Sequence, residues 1–337
     1  MPETVLDLSG IETVYPPTTR VADSFAQALF GHSSQQSITT LKALLSQYTG
    51  VDAGRILVTS GEDDLLTLLL TNLMGKGDYI AVPEPSLGTH RFQAEATGVG
   101  VLDTGRDKQF RVLTDSLLSV ATAPEVKMIF LASPNNPTGT LTSPKTIQRI
   151  LDVQKLTVID ETYFEFSHQS CIGLLASHPN LVILRSFKWA AMAAYKIAYA
   201  VAAPEIVARL EATLPGTLVS PMAISAACSS LEDQALLLRN VKRLIEERDR
   251  LYETLHHISG VHPFASQANF LYCLFPGRDG RQVANALFRQ GVKVKHYTGS
   301  VYQSGIRVRI GFPDDNERFL SALRTVLTEI PTGNEPG

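Results

Sequence analysis

The feature that most narrows the fold is a set of short segments that are apolar from end to end. RILVT, YIAVP, VKMIFLA, LTVI and LVILR recur along the first 200 residues, separated by stretches with helical spacing. A strand with one wet face alternates apolar and polar residues, whereas a strand apolar throughout is covered on both faces. Covering both faces takes helices on either side, so the alternation from about residue 37 to 203 predicts a layered α/β domain with a mostly parallel sheet. SITTLKALLSQYTG has apolar residues at helical spacing and stops at Gly50. DDLLTLLLTNLM and THRFQAEATG read as helices too, and SPKTIQRILDV has Ser143 placed as cap and Pro144 at the first helical position. IAYAVAA completes the strand set.

The pattern then changes. Residues 222–257 read as one or two long helices with charge along one face, and ANFLYCLF, VKVKHY and IRVRIGF are short strands between helices at 279–290 and 314–329. The expected division is an N-terminal segment (1–36) without sheet signal that packs on the small domain, a large domain (37–240), and a smaller α+β C-terminal domain (241–330). The tail PTGNEPG is expected to fray.

Composition matters here for what it excludes. Lys and Arg number 30 against 33 Asp and Glu, a net charge of −3. With no basic run, neither nucleic acid nor an anionic membrane is the expected partner. Cys171, Cys228 and Cys273 are far apart and in apolar surroundings, which suits reduced core residues rather than a metal site. The N-terminus lacks a signal-peptide pattern, and no apolar run reaches the roughly 18 residues needed to span a bilayer. The reading is a soluble, cytoplasmic protein.

In an open α/β sheet, ligands bind at the carboxyl ends of the strands. After RILVT stands Ser60-Gly61-Glu62-Asp63, opening a helix; after VKMIFLA, SPNNPTG (133–139). After LTVI stands Asp160-Glu161-Thr162-Tyr163, and after LVIL, Arg185-Ser186-Phe187-Lys188. Each alone is ordinary: Ser-Gly before a helix is a turn and cap, NNPTG is a turn, and a strand-end Lys is usually solvated. On one sheet edge they bring together a helix N-terminus, an amide, a carboxylate, a phenol and an amine. That set suits a cofactor having a phosphate, a phenolic oxygen, a ring nitrogen and an aldehyde.

SPNNPTG, VIDETYFEF, QANFLYCLF and IRVRIGFPDDNERFL together resemble the fold-type I pyridoxal-phosphate aminotransferases of class I/II, in the histidinol-phosphate aminotransferase branch. The likeness runs over nearly the whole chain, with LSGIETVYPPTTRV (8–21) where that family has a segment ending in Tyr-Gly-Pro. The resemblance implies that Lys188 bonds to the cofactor's aldehyde and serves as the catalytic base, which asks for an amine of lowered pKa in a partly desolvated cationic pocket. It implies that Asp160 pairs with the ring nitrogen and that Asn136 and Tyr163 hydrogen-bond the phenolic oxygen. Gly61, Glu62, Asp63, Ser186 and Lys196 fall around the phosphate, with Lys196 where the family has an Arg. Arg307 would hold the substrate carboxylate as a fork, Asn269 and Tyr15 would line the substrate side, and His90 would contact Asp160 from behind.

The departures from the family cluster at the cofactor. Ser186 stands only two residues before Lys188, Leu87 replaces the ring-stacking aromatic, and Glu62 stands where Ser, Ala or Thr is usual. FGHSSQQS (30–37) lacks the tyrosine that reaches the neighbouring subunit's phosphate, and His32 is the substitute at hand. Together these imply looser cofactor binding. The implied activity is amino transfer between an L-amino acid and a 2-oxo acid in a homodimer. Lys295, where the family has an Arg facing the substrate's distal group, and Arg309, which strand alternation puts on Arg307's face, are either contacts for a second anionic group or solvent-exposed strand residues. A lyase, decarboxylase or cyclase on the same fold, and a scaffold without turnover, stand as alternatives.

Overall fold

The computed structural model describes residues 5–28, 34–192, 195–214 and 219–330. His32 and the tail fall outside these residues. From the N-terminus the strands are β1 (Leu6–Asp7), β2 (Ile56–Thr59), β3 (Tyr79–Val82), β4 (Gly100–Asp103), β5 (Val126–Ala132), β6 (Leu156–Asp160), β7 (Leu181–Ser186), β8 (Ala198–Val201), β9 (His262–Phe264), β10 (Phe270–Leu274), β11 (Val292–Lys293), β12 (Lys295–His296) and β13 (Ile306–Arg309). The helices are α1 (Thr19–Ala28), α2 (Ser34–Thr49), α3 (Glu62–Leu73), α4 (Thr89–Ala96), α5 (Thr114–Ala121), α6 (Pro144–Leu151), α7 (Phe164–Ser167), α8 (Pro204–Glu211), α9 (Pro221–Glu232), α10 (Gln234–His256), α11 (Gly280–Arg289) and α12 (Pro313–Glu329).

The central sheet runs β2-β8-β7-β6-β5-β3-β4. All its pairings are parallel except those of β8, which is antiparallel to both β7 and β2. The fold is therefore α/β with a mostly parallel sheet, and β2, β3, β5, β6 and β7 all end on one edge. Strand alternation divides the core in two. Leu181 and Ile183 of β7, with Ile129 and Leu131 of β5, join α2 and α6 on one face. Val182 and Leu184, with Met128 and Phe130, join Leu65, Leu66, Leu69 and Leu70 of α3 on the other. Each side chain buried this way stabilises the fold by about 1.5–3 kcal/mol, which is why these strands carry no polar alternation. Ser143 caps α6 through the Thr146 N–H at 3.1 Å, with Pro144 at its first position.

A second sheet, β12-β13-β10-β9, is antiparallel throughout and is flanked by α10, α11 and α12. The N-terminal segment does contain a strand, contrary to expectation: β1 pairs in parallel with β11, Leu6 beside Val292 and Asp7 beside Lys293. Two residues are too few to show any period. α1 and α2 both pack on α9, and position 240 lies inside the single continuous helix α10. Among the described residues, no helix is long and apolar enough to cross a membrane.

Candidate active site

Lys188 stands where the sheet edge predicts. Ser186 ends β7, Phe187 follows, and Lys188 opens a 3-10 turn reaching Ala190, so the shortened connection passes from strand to turn with no intervening loop. The Lys188 amine lies 2.9 Å from the Glu62 carboxylate. Burial by itself pulls this amine's pKa down, but Glu62, then Tyr163 and Asp160, outweigh it and hold the ammonium well above the ordinary lysine value. This corrects the expectation of a lowered pKa in a cationic pocket. The pocket is acidic because Glu62 adds a second carboxylate to that of Asp160 around the amine.

Asp160 ends β6, which β8 and β7 separate from β2 and the Glu62 turn, and its Oδ1 accepts from the Thr162 N–H at 2.9 Å and from the Thr162 hydroxyl. Burial pushes its pKa upward, opposed by those bonds and by Lys188. Tyr163 is buried, and its hydroxyl accepts from Asn136 Nδ2 at 3.0 Å. The other end of the Asn136 amide accepts from Arg307 Nη1 at 2.7 Å. Burial pushes the Tyr163 phenol up to about 12. Arg307 comes from β13, opposite Tyr272 of β10 and Lys295 of β12. Its Nη2 donates to the carbonyls of Ser9 at 2.9 Å and Gly10 at 3.3 Å. The rings of Phe270 and Tyr297 flank it at 5.2 and 5.8 Å.

Two cavities meet at Lys188. One of about 480 Å³ is lined by Ser60, Gly61, Ser186, Lys196 and Glu12, with Asp63 beyond. Gly61 has φ +101°, a backbone state that favours glycine, and it turns the chain into the N-terminus of α3. Lys196 is exposed at the rim. The smaller cavity, about 200 Å³, is walled by Asp160, Leu87, His90, Phe130 and Glu62.

Four expected roles are placed differently. His90 turns its Nε2 to Glu84 Oε1 at 3.1 Å and stacks on Phe130 at 5.2 Å, so the carboxylate its ring nitrogen meets is Glu84 rather than Asp160. Tyr15 packs edge-on against Phe312 at 5.2 Å, while Ile11 and Glu12 of the same segment face the cavities. Asn269 donates to the Ile11 carbonyl at 2.8 Å and thereby fixes that segment. Arg309 lies on Arg307's face, but its Nη1 and Nη2 go to the carbonyls of Glu12 at 3.3 Å and Asp7 at 2.8 Å.

With this geometry described, comparison with known proteins is direct. The profile of the family described as aminotransferase class I and II matches residues 17–323. The chain belongs to that family. The histidinol-phosphate aminotransferase of Roseiflexus castenholzii is 31% identical over 334 residues, covering 96% of this chain and 90% of its own. That of Gloeobacter violaceus is 35% identical over 291 residues, covering 86% and 81%. The solved histidinol-phosphate aminotransferase of Sinorhizobium meliloti, in complex with pyridoxal-5'-phosphate, superposes with a TM-score of 0.87 at 19% identity, covering 98% of this chain and 93% of that one.

The residues of this aminotransferase suit such a cofactor. Ser186 Oγ and Arg307 Nε are buried with no partner among the described residues, one beside the larger cavity and one on the guanidinium that donates to Asn136. An amine, a carboxylate and a phenol converge between them. The groups that motif reasoning did not find are the carbonyls of Ser9 and Gly10 and the side chains of Ile11 and Glu12. They lie in the segment 8–21 that the family likeness includes, but which of its groups reach the site is set by tertiary packing of an irregular stretch that shows no period.

Proposed function

We propose that this aminotransferase moves an amino group between an L-amino acid and a 2-oxo acid on pyridoxal 5'-phosphate, and that one of its substrates carries a second anionic group. The observation that carries the reading is the unbroken line Tyr163–Asn136–Arg307 beside the Lys188 amine and Asp160. The bound cofactor supplies an electron sink for the carbanion left when the α-proton departs. Asp160 presents a carboxylate held by Thr162, positioned for the ring nitrogen. Asn136 and Tyr163 offer donors for the phenolic oxygen. Ser186, Lys196 and the amides at Gly61, Glu62 and Asp63 take the phosphate. Arg307 orients the substrate by its anionic group, its fork already fixed by Asn136 and Ser9. Lys188 Nζ, in its neutral form, would take and hold the substrate's α-proton.

Histidinol phosphate, for which the relatives are named, is the first substrate to test: its one anionic group is a phosphate, and Arg307 and Lys295, paired across β13 and β12, are two cations that could face it. We further propose a cofactor-binding unit at 37–240, a smaller unit at 241–330 and an N-terminal segment at 1–36 bridging them, in a cytoplasmic homodimer. A lyase, decarboxylase or cyclase is the less favoured reading, since the relatives named above are aminotransferases. The test is borohydride reduction of the cofactor-loaded protein with peptide mapping, followed by half-reactions with histidinol phosphate and a panel of L-amino acids. A pyridoxyl group on Lys188 and release of a carbonyl product are expected. Attachment elsewhere, or no carbonyl product from any donor, overturns the reading.

A further inference from the structure

The cradle meant for a phosphate is also an acidic part of the site. α3 opens with Glu62, Asp63 and Asp64 in its first turn, Glu12 faces the same cavity, and Lys196 is the cation set against them at the rim. Glu62 reaches furthest inward, to 2.9 Å from Lys188, with the two side chains 26% and 17% exposed. Asp160 has its Oδ1 engaged by Thr162. Tyr163 is tied to Asn136, and His90 to Glu84. Of the groups facing Lys188, Glu62 is the carboxylate in ion-pair contact with it.

We propose that Glu62 is an intramolecular latch on Lys188: it holds the amine as an ammonium ion, and the cofactor is captured only when this pair opens. The inference rests on the cofactor role proposed above and assigns to Glu62 a positioning task in it. Only a neutral amine has the lone pair that attacks an aldehyde. One proton of the ammonium passes to Glu62, the nitrogen bonds to the aldehyde carbon, and its two remaining hydrogens leave with the aldehyde oxygen as water. Glu62 sets how readily the first of these events occurs.

The test uses the full chain stripped of cofactor, as wild type, Glu62→Ser and Glu62→Gln. Each is titrated with pyridoxal 5'-phosphate and with pyridoxal, which has the aldehyde but no phosphate. Binding is read from the emission of Trp189, the single tryptophan and Lys188's neighbour, and from the mass of the borohydride-reduced adduct. Both variants should bind both probes more tightly, by about tenfold, the effect of moving the amine's pKa by one pH unit. The gain should shrink as pH rises and the wild-type amine deprotonates unaided. Should Glu62→Ser fail to fold, Glu62→Gln keeps the side chain's length and carries the same comparison. A gain for pyridoxal 5'-phosphate alone means that Glu62 merely repels phosphate, and the latch is overturned. Equal binding by all three forms overturns it as well, while leaving the cofactor role intact. No capture by any form, wild type included, overturns both.

Discussion

Arg307 is oriented before any substrate arrives. Asn136 accepts from one of its terminal nitrogens, the Ser9 and Gly10 carbonyls from the other, and its Nε is buried with no partner among the described residues. Arg307→Lys keeps the charge and loses the fork. Hydrogen bonds to charged groups contribute about 1.5–3 kcal/mol each, so KM should rise roughly 10- to 100-fold with kcat less affected. Steady-state kinetics giving the reverse pattern would show that the fork acts mainly in the transition state. Lys188→Ala should abolish the reducible adduct and lower turnover by about 10²- to 10⁴-fold, the usual contribution of a positioned base; an adduct of unchanged mass in that variant would move the anchor to another lysine. Lys188, Asp160, Asn136, Tyr163 and Arg307 were legible in the sequence because each follows a strand's end or sits in a short motif. The Glu62–Lys188 and His90–Glu84 pairs were not, because which carboxylate a cation meets depends on packing between elements more than 20 residues apart or on a turn's local shape.

Short elements carry consequences as large as long ones. α7 is four residues, yet it carries Glu165, 2% exposed, whose carboxyl accepts from the Tyr48 hydroxyl of α2 at 2.9 Å. Tyr48 in turn stacks on Trp189 at 5.8 Å, next to Lys188. Burial, partly opposed by Arg185, pushes the Glu165 carboxyl from its ordinary 4.5 up to about 7. The unfolded chain therefore releases this proton while the folded chain still holds it, and stability falls as pH rises between those values. Above about 7 both states are ionised and the loss is complete, at most about 3 kcal/mol. Glu165→Gln should flatten that part of the stability curve; denaturant midpoints that decline with pH in parallel for both proteins would assign the slope to other groups. In the first sheet, the strands read from the sequence were those buried and apolar nearly from end to end: β2 and β3 are no longer than β4, but β4 is only partly buried and ends on Asp103. β1, with two residues, shows no pattern, and α5 and α8 did not stand out from their surroundings.

At the scale of the molecule, the N-terminal segment is a strap that joins the second sheet to the edge of the first. β1 pairs with β11, the Leu8 carbonyl accepts from the Arg309 N–H at 2.9 Å, and Asn269 holds Ile11. Arg309 adds two side-chain bonds to the same strap. Ile11 and Glu12 then face the cavities at the carboxyl ends of the parallel strands. Arg309's bonds thus go to the strap, where strand alternation suggested a contact to a second anionic group. The two roles differ in what Arg309→Ala should do. Loss of two neutral-acceptor hydrogen bonds costs about 1–3 kcal/mol, and a chain of this size should lose several degrees in Tm. If Arg309 acts through the strap, KM should rise by a similar factor for singly and doubly anionic substrates, because the wall of the site loosens for both. If it read a second anion directly, only the doubly anionic substrate would suffer and Tm would scarcely move. Thermal melts and half-reaction kinetics on that one variant, with a phosphate-bearing and a simple amino donor, decide between them, and the hydrogen bonds to Asp7 and Glu12 favour the first outcome.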